Sequence, residues 1–120
     1  MGFSEAEIET IILGHESRNE QLRQSLLGRG VDLTAPRQIE CHFWAWSGGD
    51  AASVADALAR RGFEILAQRA AVSARDLNLW NVEAAINQSI EVTLTREFTN
   101  ELVRLAAARS AKYDGWGTRL

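Results

Sequence analysis

The run QIECHFWAW (Gln38–Trp46) constrains the fold more than any other stretch of the chain. It is rich in β-branched and aromatic residues and alternates with period two, the signature of a strand. Ile39, Cys41, Phe43 and Ala45 point one way, and Glu40, His42, Trp44 and Trp46 the other. Both faces carry apolar bulk, so the strand belongs in the middle of a sheet, with one face covered and the other partly covered. The rest of the chain must then supply a neighbour on each side and a layer to pack on it.

The flanking segments supply these parts. FSEAEI (Phe3–Ile8) carries a capping box, in which the Ser4 side chain accepts from the backbone N–H of Glu7 and the Glu7 carboxylate reaches back to Ser4. Ile8, Ile11, Ile12, Leu22 and Leu26 continue a helical stripe to the stop at Gly28–Gly30, a helix of about 35 Å. His15 and Asn19 interrupt this stripe, so its middle either docks less firmly or pairs with polar groups. After the strand, SGGD (Ser47–Asp50) reads as a turn ending in the cap Asp50. Val54, Ala55 and Leu58 form the stripe of a short helix closed by Gly62, with Phe63 placed to contact Leu58. Phe63–Val72 and Leu79–Ile86 read as two strands joined by a turn over Ser73–Asn78. Thr95 caps a helix with Phe98, Leu102, Leu105 and Ala106 on one face, and AKYDGWGTRL has room for one last strand.

A helix followed by β-α-β-β-α-β predicts an α+β, ferredoxin-like sandwich with a four-stranded antiparallel sheet and an additional N-terminal helix. The expected single domain comprises that helix over residues 1–30, packed on the body over 37–120. The first and third strands are central in this arrangement, and right-handed crossovers place the two later helices on one face. YDGWGT (Tyr113–Thr118) then runs antiparallel to the first strand, and Gly115 and Gly117 allow close approach beside Trp116.

Charge and composition exclude several function classes. Thirteen basic and sixteen acidic residues give a net charge of -3 without a long run of either sign, which disfavours direct nucleic-acid binding. LWNVEAAI also lacks the basic-glycine-aromatic pattern of an RNA-recognition strand and carries Glu83. The lone Cys41 makes no internal disulfide, and one cysteine with two histidines falls short of a zinc site. SGGD lacks the lysine of a phosphate loop, so neither metal nor cofactor is expected. No stretch has the length of a membrane span and no leader pattern opens the chain, which makes the cytoplasm the expected location.

YDGWGT, IECHF (Ile39–Phe43) and the helix running into RGFEI (Arg61–Ile65), in this order and spacing, resemble the bacterial ribonuclease E inhibitors of the RraB family. The first motif is specific and the other two are weak alone. The resemblance implies a noncatalytic, cytoplasmic protein that binds a protein partner, ribonuclease E or another RNA-decay component, and modulates messenger RNA decay. Family members continue past the motif into a strongly acidic tail, whereas this sequence ends at Leu120.

Candidate partner-binding residues are Trp44, Trp46, Trp116 and His42, expected as a patch on the sheet face away from the two later helices unless the N-terminal helix covers them. Tyr113, Asp114, Gly115, Gly117 and Thr118 are expected to fix the last strand. A small enzyme or ligand-binding protein using Glu40, His42 and Asp114 is the competing reading, because Glu40 and His42 share a strand face. A third reading is self-assembly through Ile8, Ile12 and Leu22 of the first helix.

Overall fold

The period-two run becomes β1 (Pro36–Ala45), and its alternation is that of a central strand: Ile39, Cys41, Phe43 and Ala45 are completely buried, while Glu40, His42 and Trp44 are half-buried. The computed structural model describes residues 2–71 and 79–120. Within these residues the elements run α1 (Glu5–Gly28), β1, α2 (Gly48–Arg60), β2 (Glu64–Ala70), β3 (Trp80–Ser89), α3 (Ile90–Thr93), α4 (Arg96–Ala107) and β4 (Ala111–Gly117). The sheet order is β2-β3-β1-β4 with every pairing antiparallel, the expected α+β arrangement with β1 and β3 central. Val72 and the turn expected over Ser73–Asn78 lie outside the described residues.

Local chemistry sets most of the boundaries. The Ser4/Glu7 capping box forms, with the Glu7 N–H donating to Ser4 Oγ at 3.1 Å and Ser4 N–H to Glu7 Oε1 at 3.2 Å. Helix α2 ends as its sequence predicts: Gly62 adopts φ +93°, and Phe63 N–H donates to Leu58 O at 3.0 Å. Its start differs. The cap is Ser47, whose Oγ accepts from Asp50 N–H at 3.0 Å, and the helix already begins at Gly48. A Cβ at Gly48 would stand 3.0 Å from the Trp80 indole, closer than an ordinary contact, so Trp80 packs tightly on the bare first turn of α2. Thr95 caps α4 as expected; the single turn α3, capped by Ser89, was not.

The core lies between the sheet and the helical layer. Val54 and Leu58 of α2, Leu102, Val103 and Ala106 of α4, and Val82, Ala84, Ala111 and Tyr113 of the sheet meet the inward face of β1. Each large aliphatic side chain buried here contributes about 1.5–3 kcal/mol relative to exposure. The long α1 lies on this same side, against α4 and the free edge of β4, and does not cover the opposite face of the sheet. Arg104 of α4 binds Glu5 at 2.7 Å and Glu9 at 3.0 Å, while Arg96 binds Glu9 at 3.5 Å and also pairs with Glu16. Exposed pairs of this kind are individually weak because solvent screens them, so the ladder supplements the docking of α1 on α4 and does not set it.

Ile12, His15, Asn19 and Leu26 are the buried positions of α1, one face at helical spacing with two polar residues in the middle. Of the residues read as a self-assembly seam, Ile12 is wholly buried in the chain's own core and Ile8 is half-buried against it, which leaves only Leu22 exposed.

Between α4 and β4, Ser110 adopts φ +56°, a left-handed conformation that glycine takes without strain. Ser110→Gly is expected to raise the unfolding free energy by about 0.5–1 kcal/mol, seen as a higher denaturant midpoint at unchanged slope.

Candidate functional site

The segment Tyr113–Thr118 is organised by one extra residue. Phe43 pairs with Tyr113 and His42 with Gly115, so Asp114 is the surplus residue of a β-bulge, and Gly115 takes φ +123°. Uninterrupted alternation would send Tyr113 and Trp116 to opposite faces. The bulge brings both to the helix side, where Trp116 pairs with the inward-facing Cys41 and Tyr113 with the inward-facing Phe43. Gly115 is required for its conformation, since a Cβ there would meet nothing within 4 Å. Beyond the bulge, Thr118 Oγ1 donates to Gln38 O at 2.7 Å and keeps the tail beside β1.

On that side the polar residues of α1 find their partners. Trp116 Nε1–H donates to Asn19 Oδ1 at 3.1 Å, and Asn19 Nδ2–H donates to Thr99 Oγ1 of α4 at 3.3 Å. The His15 ring stacks on Tyr113 with centroids 4.8 Å apart, and Nε2 lies 3.0 Å from the Tyr113 carbonyl oxygen. Arg18 donates to His15 Nδ1 at 3.0 Å. Arginine has no acceptor, so Nδ1 carries the lone pair and Nε2 the proton; the geometry selects the neutral ring. Burial accordingly lowers the His15 pKa; the hydrogen bond to the Tyr113 carbonyl opposes it as the next largest influence, with smaller contributions from Arg18 and Lys112 (lowering) and Asp114 (raising). Tyr113 is buried against Phe43 and the Cys41 thiol, and burial pushes its phenol well up and the thiol to about 12. Outside these contacts a groove of about 450 Å³ runs between α1 and β4, lined by Arg18, Leu22, Ser25, Asp114 and Trp116.

Among the described residues no helix lies on the other face of the sheet, and the strand register sets its side chains in rows. Arg69, Asn81, Trp44 and Lys112 stand in one row across β2, β3, β1 and β4; Ala67, Glu83, His42 and Gly115 form the next, then Glu64, Ala85, Glu40 and Gly117. His42 Nδ1 lies 3.7 Å from Glu83 Oε1. A shallow recess of about 390 Å³ is lined by His42, Trp44, Arg69, Asn81, Glu83 and Asp114.

The expected patch of three indoles is therefore divided. Trp44 is on the open face, Trp116 is turned by the bulge into the α1 groove, and Trp46, past the end of β1 and 43% exposed, lines a crevice with Phe3, just ahead of α1, and with Glu7 of α1. The alternative in which α1 covers the Trp44 face does not hold either. Glu40 stands a row beyond the recess that holds His42 and Asp114, and the nearest acidic partner of His42 is Glu83. Asn19 and Arg18 were absent from the residues singled out for a site. Asn19 had a signal, a polar residue inside an apolar stripe, whereas Arg18 had none.

A family model described as Regulator of ribonuclease activity B matches residues 16–118, which include all four strands and the YDGWGT segment. The chain belongs to the RraB family. It is similar to the Regulator of ribonuclease activity B of Shewanella amazonensis, 29% identical over 117 residues that cover 92% of this chain and 79% of that protein. The protein of the same description from Shewanella denitrificans is 26% identical over 102 residues, 85% of this chain and 79% of that one. Asn19, Tyr113 and Trp116 all fall inside the span matched by the RraB model, and His15 lies one residue before it.

Two outcomes are expected from this geometry. Gly115→Ala strains the bulge and is expected to cost about 1–3 kcal/mol of stability, with a red shift of tryptophan emission as Trp116 leaves Asn19. For His15 the folded pKa is depressed, so below the ordinary value of 6.5 the unfolded chain binds more protons. Stability is full above that pH and falls as pH drops through it. Denaturant midpoints recorded from pH 8 to 5 should show this decline in the wild type and a weaker one in His15→Gln.

Proposed function

We propose that the protein is a noncatalytic regulator that restrains a ribonuclease by binding it, and that it thereby modulates messenger RNA decay. The observation that carries this reading is the RraB match over residues 16–118. The uncovered sheet face supports it, because a half-buried indole beside polar groups at the centre of an open surface is the kind of anchor that dominates protein interfaces. Trp44 and His42 form the centre of the contact, and Trp116 and Trp46 serve on separate surfaces around α1. The expected partner is ribonuclease E or another component of the RNA-decay machinery. The one thiol supports a role without catalysis, since Cys41 faces the core with its pKa pushed to about 12.

The test is a cleavage assay in which the chain is titrated into purified ribonuclease E and an RNA substrate. Wild type is expected to slow cleavage at saturation, and Trp44→Ala to require about tenfold more protein for the same effect while keeping its fold by circular dichroism. Equal potency of the folded variant removes Trp44 from the interface. Cleavage unaffected by wild type at any concentration overturns the reading itself.

A further inference from the structure

The charges of the open face are sorted along the strands. Arg69 and Lys112 share the row of Trp44, while Glu83, Glu64 and Glu40 occupy the two rows beyond it, and Asp114 stands at the bulge beside them. From Trp44 to Glu40 is four residues of one strand, about 13 Å at 3.3 Å per residue. That matches about nine residues of a helix lying along the strands. The acidic rows are interrupted by Ala67, Ala85, Gly115 and Gly117, whose lack of bulk lets a convex partner approach the sheet.

We propose that this face docks a helix of the protein partner whose charges run in the opposite sense, with basic side chains over Glu40, Glu64 and Glu83 and an acidic one near Arg69, about two and a half turns away. The inference rests on the reading of a protein partner given above and adds its chemistry and direction. A helix is the natural cover for one face of an antiparallel sheet, as α2 and α4 are for the other. Phosphate-rich ligands fit poorly, because the carboxylates of this face outnumber its cations. A second copy would match the charges head to tail, but two such floors of alanine and glycine facing each other have no ridge to fill the space between them.

The experiment measures binding of purified ribonuclease E to the full chain by biolayer interferometry, with oligomeric state followed by sedimentation. The Glu40→Lys/Glu64→Lys double variant is expected to bind about tenfold or more weakly, Arg69→Glu several-fold more weakly, and wild type progressively less as salt is raised. Asp56→Lys, on the solvent side of α2, serves as the control and should bind as wild type. Glu40→Gln/Glu64→Gln, which keeps size and polarity, gives the same answer should the lysine variant fold poorly. Wild-type binding with equal affinity in every folded variant overturns this inference and leaves the protein-partner reading standing. No binding by wild type overturns both. A wild-type dimer dissociated by the double substitution, or a single-stranded oligonucleotide bound through Trp44 in place of protein, assigns the face to another occupant and likewise overturns it.

Discussion

The surplus residue in β4 is the constraint on which the rest of the structure depends. Without the bulge at Asp114 and Gly115, strand alternation would place Trp116 on the open face, and Asn19 would be buried beneath α1 with its carbonyl unpartnered. An unsatisfied buried polar group costs about 1–3 kcal/mol, whereas a satisfied one contributes about 0.5–1.5. The single register shift thus converts two awkward residues of α1 into its docking points: Asn19 bridges Trp116 and Thr99, and His15 takes the outward carbonyl of Tyr113. These bonds also locate the helix. Its apolar face alone is weak, and the ion ladder to Arg96 and Arg104 is exposed, so the buried polar pairs specify where α1 sits along the edge.

That placement has two consequences for function. An edge strand with free carbonyls invites pairing with other chains, and α1 lies along this edge with a side chain that donates to one of them. By lying at the edge on the helical side, α1 also leaves the opposite face of the sheet uncovered. Among the described residues one face of the α+β sandwich is therefore left without a helix, and it is on this face that the protein contact proposed above is placed. The bulge thus divides the aromatic residues between the α1 groove and the opposite face. Asp114 stands at their border and lines both the α1 groove and the recess around Trp44.

What the chain wrote locally was legible. Period-two alternation in Gln38–Trp46 made β1 central, the Ser4/Glu7 box and Thr95 opened their helices, Gly62 with Phe63 closed α2, and the order of elements led to the antiparallel sheet. Each of these depends on residues within a few positions of one another, and backbone geometry reads them directly. The family was legible too, through YDGWGT. The misreadings of facing concern choices between distant residues, three indoles on one face and Ile12 as a free seam, whereas two misses were local: Asp50 for Ser47 at the start of α2, and the Ser89-capped turn α3.

The sequence by itself determined that this protein has a four-stranded sheet with a central aromatic strand, two covering helices and a long capped helix at its start, because periodicity and capping are properties of neighbouring residues. Tertiary structure alone decided on which side α1 lies and which way Trp116 points. A one-residue bulge reverses the facing of everything beyond it, and whether Gly115 adopts it is settled by partners nearly a hundred residues away, His15 and Asn19, that exist only once the chain has closed on itself.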